Sequence, residues 1–267
     1  MSLFHLILVA LIQGLTEFLP VSSSGHLILL PGLTGIPDQG QGIDVAVHVG
    51  TLFAVILYFW KDVKLAAGGT TRLMRGKVDT QGAWLAMCLL IATVPVLVFG
   101  AILKLTGLDE LLRSVAVIGW TMLIFGLVLY WTDQKGATTK TAAKWSITDA
   151  AKMGLWQALA LIPGTSRSGA TISGARQLGY AREDAARLSM LMSIPTIIVL
   201  GLAAGIEAAA DANTQLLKDS VLAIALSFIA ALFALTLMMR LLKSVSFTPY
   251  VIYRVILGIV LLVYAYA

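Results

Sequence analysis

Gln13-Gly-Leu-Thr-Glu17-Phe-Leu-Pro20-Val-Ser22-Ser23-Ser24-Gly25-His26 and Pro163-Gly164-Thr165-Ser166-Arg167-Ser168-Gly169-Ala170-Thr171 are two short polar stretches in a chain that is otherwise almost entirely apolar. Each follows an apolar run too short to cross a bilayer, which takes about twenty residues. Together they put a carboxylate, an imidazole, a guanidinium and many hydroxyls at membrane depth. A charge there costs roughly 2.5 to 3.5 kcal/mol on insertion scales, so a functional site is the first reading.

Composition agrees with a membrane setting. The 267 residues are 58% hydrophobic and only 12% charged, with a mean hydropathy of +0.89; soluble domains carry about twice that charged fraction. The runs do not alternate as barrel strands do, so the class is an all-α polytopic membrane protein. The single cysteine, Cys88, lies in an apolar run and permits no intrachain disulfide. The net charge of +5 is small and confined to one side; it reflects topology and not nucleic acid. No cleavable signal is expected, because no Lys or Arg precedes the run Leu3 to Ile12.

Six runs are long enough to cross, at roughly 43–60, 83–103, 114–132, 188–206, 220–240 and 249–267. The regions 3–31 and 150–175 each combine a short apolar helix, a break at Pro20 or Pro163, a polar turn and more helix, and are expected to be re-entrant hairpins. The connections 61–82, 133–152, 176–187 and 240–248 hold fourteen of the nineteen Lys and Arg. Positive-inside places these in the cytoplasm, which leaves both termini outside. The two polar stretches match loosely, about 143 residues apart, so repeat one spans about 1–132 and repeat two about 150–267 of a single membrane domain. Each unit is a hairpin plus three crossings. Three is odd, so the second must be inverted relative to the first, and such folds put their site where the broken helices meet.

Glu17 is the one acidic residue well inside an apolar segment; it suits a general base, a metal ligand or a counter-ion to Arg167, or else a protonated interhelical hydrogen bond. Gln13 shares its helix face. Ser22 and Ser23 lie four and three residues before His26, within helical reach of its ring; the bland readings are a helix cap and a satisfied buried histidine. Arg167, between Ser166 and Ser168, can fork onto a phosphate, with Gly164 and Gly169 letting backbone amides approach the anion. The bland reading is a snorkelling arginine. Arg254, in the last crossing, can pair with lipid or backbone. His48 is a packing group or a site candidate, His5 is interfacial, and Trp60, Tyr130 and Trp131 suit an interface belt.

At these residues the chain closely resembles the bacterial undecaprenyl-diphosphate phosphatases of the bacitracin-resistance type. The likeness runs over essentially the whole length. It is carried by Glu/Gln-x-x-x-Glu at Gln13 to Glu17, leading into Pro20 to His26, and by Pro-Gly-x-Ser-Arg-Ser-x-x-Thr at Pro163 to Thr171. The resemblance implies hydrolysis of a C55 polyprenyl diphosphate to the monophosphate and inorganic phosphate, recycling the carrier lipid for peptidoglycan synthesis in the bacterial inner membrane, with a site opening outward. It implies Glu17, Ser23, His26 and Arg167 as the catalytic set, and Gln13, Ser22, Ser24, Gly25, Gly164, Thr165, Ser166, Ser168 and Thr171 around the diphosphate. It also implies a divalent cation, Mg²⁺ or Ca²⁺, with Glu17 a candidate ligand. Gln13 stands where many members carry Glu, which puts a two-carboxylate metal site in doubt. Ser23, His26 and a water stay open as nucleophile, with Ser23 assisted by His26 preferred.

Two rivals are weighed. The lipid phosphatases with Lys-x6-Arg-Pro and Ser-Arg-x5-His motifs are rejected, because position 173 is Ser and no Lys-x6-Arg-Pro exists. A lipid-carrier flippase could share the architecture. The expected partners are the polyprenyl diphosphate and membrane lipids, with no nucleic acid; a homodimer is left open.

Overall fold

The computed structural model describes residues 1–35, 38–209 and 214–267. The elements are α1 (Leu3–Thr16), α2 (Ser23–Thr34), α3 (Gln41–Tyr58), α4 (Trp60–Leu73), α5 (Gln81–Thr106), α6 (Leu108–Leu111), α7 (Val115–Lys135), α8 (Ile147–Leu159), α9 (Arg167–Gln177), α10 (Arg182–Ala209), α11 (Thr214–Leu241) and α12 (Thr248–Tyr266). Among the described residues there is no strand, only an isolated bridge between Lys140 and Tyr180.

Among the described residues, six helices are long and apolar enough to cross a membrane: α3, α5, α7, α10 through Ile206, α11 and α12. Their outward faces are apolar, with Leu90, Val94, Ile229, Phe233, Ile256 and Val260 exposed, as a lipid-facing surface requires. The protein is a multi-pass membrane protein. The connection 61–82 is partly helical; α4 occupies it and packs on α5, where a Cβ at Gly82 would meet the Leu65 carbonyl at 2.3 Å.

The remaining long segments form two helical hairpins, α1 with α2 and α8 with α9. The fourteen residues of α1 extend only about 21 Å at 1.5 Å per residue, short of the roughly 30 Å hydrocarbon core. Each hairpin packs on a spanning helix of the other half of the chain, α1 on α11 and α8 on α5. Small residues allow the close approach: a Cβ at Gly14 would sit 2.6 Å from the Ala230 Cβ, and one at Gly154 would sit 2.6 Å from the Ala92 carbonyl. Close backbone packing of this kind holds helices together where lipid removes the hydrophobic drive. The main core runs from Phe18, in the first hairpin turn, through Met153, Ile172, Met190 and Leu235.

The Lys/Arg-rich face is closed by a buried ionic hub. Asp133, at the end of α7, accepts at Oδ1 from Arg176 Nε (3.1 Å) and Arg182 Nε (2.7 Å), and at Oδ2 from the Phe247 amide (3.2 Å). Arg176, 1% exposed, also donates to the carbonyls of Asp133, Gly136, Ala137 and Tyr180. One carboxylate thus ties together the ends of α7, α9, α10 and α12. Nearby, at the start of α8, burial raises the Asp149 pKa, but donation from Lys140 and the Tyr180 hydroxyl outweighs it and holds the carboxyl below its usual range. The stability from that depressed pKa is present at neutral pH and is lost as pH falls through it. Asp133→Ala strands two guanidinium groups and is expected to cost about 3–5 kcal/mol, read as a lower thermal unfolding midpoint in detergent; an unchanged midpoint contradicts the hub. Asp149→Asn is expected to flatten the acid side of the stability profile, and an unaltered acid limb argues against the Lys140–Asp149–Tyr180 contact.

Candidate functional site

The two hairpin turns share one local design. Among the described residues, Ser22 and Ser166 are the non-glycine residues with positive φ, +73° and +70°. The side chain of each caps the helix that follows it: Ser22 Oγ accepts from the Gly25 amide (3.3 Å) and Ser166 Oγ from the Gly169 amide (3.1 Å). A second hydroxyl lies beside each cap, Ser24 at 3.4 Å and Ser168 at 3.1 Å. Registered on these caps, Gln13, Ser22, Ser24 and Gly25 all lie 144 positions before Gln157, Ser166, Ser168 and Gly169. The offset seen in the sequence comes from the prolines, which sit at different steps of the two turns. Left-handed conformations at non-glycine residues cost of order 1–3 kcal/mol each and cluster at functional sites.

In this register Ser23 corresponds to Arg167, and Glu17 lies between them. Ser23 Oγ donates to Glu17 Oε2 (2.6 Å) and Arg167 Nη2 donates to Glu17 Oε1 (2.7 Å). Gln13 Nε2 also donates to Oε2 (2.9 Å), which leaves the buried Gln13 Oε1 without a partner. The carboxylate of one hairpin is therefore bonded to the serine of its own turn and the arginine of the other. Arg167 Nη1 donates to the Ser189 carbonyl of α10 (3.3 Å), and Thr171 Oγ1 meets Ser189 Oγ at 2.6 Å. Ser168 Oγ donates to the Leu19 carbonyl (2.9 Å) and gives a second bond between the turns.

A cavity of about 430 Å³ opens over this cluster, lined by Glu17, Ser22, Ser23, Ser24, Ser166 and Arg167. Gln41, Asp44 and His48 of α3 form a polar edge, and Val96, Leu161, Ile197, Leu200 and Ala204 an apolar wall. His48 Nδ1 is 2.7 Å from the Asp44 carbonyl. A carbonyl only accepts, so Nδ1 carries a proton and Nε2 is the acceptor nitrogen of the neutral ring.

His26 does not line this cavity. Its Nδ1 donates to the Ser22 carbonyl (2.7 Å), so in the neutral ring Nε2 accepts from the Tyr253 hydroxyl (2.5 Å). The sequence spacing allows a Ser23–His26 bond, yet the Ser23 hydroxyl goes to Glu17. Gly25 underlies the turn, and Gly164, with φ +86°, sits where a Cβ would lie 2.7 Å from the Ile118 carbonyl. Thr165 is fully buried and its hydroxyl has no partner.

Arg254 is a principal member of the site that sequence reasoning placed only loosely. Fully buried in α12, it donates to the carbonyls of Pro20 (3.2 Å), Thr121 (3.3 Å), Met122 (3.3 Å), Gly164 (3.0 Å) and Thr165 (2.9 Å). Three of these belong to the two hairpin turns. The signal in the sequence was an arginine inside a spanning run, but nothing local to it names its partners. Tyr253 was missed for the same reason.

The chain matches the family described as "Bacitracin resistance protein BacA" over residues 6–260. It is 70% identical to the undecaprenyl-diphosphatase of Roseobacter denitrificans and 64% identical to that of Ruegeria pomeroyi, each over all of both chains. It is 45% identical to the undecaprenyl-diphosphatase of Saccharophagus degradans over 97% of this chain and 96% of that one.

Arg254→Ala removes the donor from three carbonyls of the hairpin turns, those of Pro20, Gly164 and Thr165, whereas Thr121 and Met122 lie inside α7 and keep helical partners. The expected loss is at least about 3 kcal/mol, at roughly 1–3 kcal/mol per unsatisfied group, with Arg254→Lys recovering only part of it because an ammonium cannot span the set. Thermal unfolding in detergent measures this, and a wild-type midpoint for Arg254→Ala contradicts the clamp.

Proposed function

The chain belongs to the BacA family, and we infer that it hydrolyses undecaprenyl diphosphate to undecaprenyl phosphate and inorganic phosphate, the activity named for its relatives. This recycles the lipid carrier of cell-wall synthesis. The observation that carries the chemistry is the Ser23–Glu17–Arg167 chain across the two hairpins. A hydroxyl bonded to a carboxylate beside a guanidinium, under a cavity rich in hydroxyls, suits attack on a phosphoryl group.

In the proposed reaction the Arg167 guanidinium, the Ser22, Ser24 and Ser166 hydroxyls and the first amides of α2 and α9 hold the terminal phosphoryl. They stabilise the charge that grows on its oxygens, usually the largest catalytic contribution. Ser23 Oγ passes its proton to Glu17 and bonds to the terminal phosphorus, while the bridging P–O bond breaks and its electrons leave with the lipid monophosphate. Water then attacks the phosphoserine, giving inorganic phosphate and the restored hydroxyl. In-line geometry and charge stabilisation are the main needs of phosphoryl transfer. His26, held by Tyr253, orients the Ser22 end of the turn.

The donor set does not build a resident metal centre. Among the described residues no three His, Cys, Asp or Glu side chains group to hold an ion, and both oxygens of Glu17 are engaged. It does fit a cation carried on the diphosphate, since Mg²⁺ keeps several waters and uses one or two carboxylates with substrate phosphates. Glu17 would supply the protein carboxylate, and the ion would add positive charge beside the phosphates.

The architecture supports an inverted repeat: the shared capping design, the common register, and the packing of each hairpin on the opposite half all favour it. The cavity lies between the first turns of α3 and the last turns of α10, on the face away from the Lys/Arg-rich connections. Positive-inside therefore supports a site open to the outside of the inner membrane and both termini outside.

Purified protein in detergent is expected to release phosphate from undecaprenyl diphosphate, which a flippase would not do. Arg167→Ala should lower turnover about 10²–10³-fold, as removal of a transition-state donor does, and Arg167→Lys should recover little; near-wild-type turnover of either overturns the clamp. Acid-quenched Ser23→Ala should trap no phosphoenzyme, and label persisting on the variant moves the nucleophile elsewhere. A chelator is expected to lower phosphate release and leave the thermal midpoint unchanged; a falling midpoint points to a resident ion instead.

A further inference from the structure

The headgroup cavity has no room for the chain it must accompany. At about 430 Å³ it is at the small end of ligand pockets, and its apolar wall includes Leu161, in the second hairpin turn. Leu161 also lines a second cavity, of about 470 Å³, between α5 and α8. Phe99, Ile102 and Leu103 of α5, Leu112 beyond α6, and Leu155 and Leu159 of α8 wall it. The two cavities thus share one side chain, with the hydroxyls and charges confined to the first and the second lined by apolar side chains and the Trp156 indole.

We propose that this α5–α8 groove is the seat of the first isoprene units of the lipid substrate, with Leu161 as the step from diphosphate to tail. The proposal rests on the hydrolase reading and deepens it. Three observations carry it. The groove adjoins the diphosphate cavity, the two sharing Leu161 in their walls. Its lining is aliphatic and aromatic, with no charged side chain. Its floor is fixed to the catalytic hairpin: Trp156 packs so closely on α9 that a Cβ at Gly174 would lie 2.5 Å from the indole, two turns from Arg167. The groove also lies along the half of α5 nearer Thr106, the same side as the mouth of the headgroup cavity. A lipid resting in that leaflet can keep its tail in the groove while its diphosphate reaches the turns.

A groove that binds tail and takes no part in chemistry makes a chain-length-dependent prediction. Ala158→Trp and Ile102→Trp fill it from opposite walls, and neither residue belongs to the reacting set. Each is expected to raise KM for undecaprenyl diphosphate about tenfold, leave kcat within about twofold, and leave hydrolysis of methyl diphosphate, which carries no isoprene unit, nearly unchanged, the pattern of lost ground-state binding. Equal losses on both substrates, or no loss on either, overturn the proposal. A photoreactive prenyl diphosphate supplies a second readout that does not need the variants to fold. Label is expected on Leu103 and Leu159, displaced by undecaprenyl diphosphate and not by phosphatidylglycerol. Label on Leu200 and Ala204 instead, or equal displacement by the phospholipid, refutes it. If wild-type protein releases phosphate from neither substrate, the hydrolase reading fails, while the labelling pattern still decides the tail seat.

Discussion

Backbone that breaks its helix inside a bilayer must find hydrogen-bond partners within the protein, because no water is there to supply them. Both hairpin turns are buried inside the protein at Pro20, Gly164 and Thr165, and the Arg254 guanidinium supplies donors to both. Its donors reach the Pro20 carbonyl of one turn and the Gly164 and Thr165 carbonyls of the other. The side chain is fully buried, and the bonds that hold it run to carbonyls. Fixing the two turns on one rigid fork fixes their separation, and the geometry of the site follows from that.

With the turns held, Glu17 and Arg167 meet at 2.7 Å although they lie 150 positions apart in the chain. The pair positions Ser23 as well, because the same carboxylate accepts from its hydroxyl. The positive φ of Ser22 and Ser166 sets the turns from which α2 and α9 start, so that Ser22, Ser23, Ser24, Ser166 and Arg167 line one cavity. Gln13 Oε1, Gln157 Oε1 and Thr165 Oγ1 are buried without partners. Of these residues Gln157 lines the headgroup cavity, and its unmet polar capacity there suits a charged, hydrated headgroup.

Much of this was legible in the chain. The six spanning helices stand out because lipid-facing segments must be apolar over about twenty residues, and the structure starts two of them, at Arg182 and Thr214, six residues earlier than the apolar runs do. The hairpins were legible as runs too short to cross, and Glu17, Ser23 and Arg167 as polar groups that a bilayer penalises. Contacts between distant segments were not. The partner of His26 is Tyr253, 227 positions away, and local spacing instead suggested a serine. The common register of the two turns was obscured because proline, the most visible punctuation, is not the residue that sets the turn; the serine caps are. Arg254 was visible as an anomaly but not as a clamp, since backbone carbonyls leave no trace in side-chain patterns.

The central claim is that hairpins from opposite halves of the chain bind one diphosphate jointly, and a double-mutant cycle on binding tests it most directly. The affinity of a non-hydrolysable prenyl methylenediphosphonate is measured for wild type, Ser23→Ala, Arg167→Ala and the double variant. Groups that hold the same phosphate are coupled, and the cycle is expected to depart from additivity by about 1 kcal/mol or more. Additive losses, within about 0.5 kcal/mol, would mean that the two turns act on the ligand separately and would contradict the account.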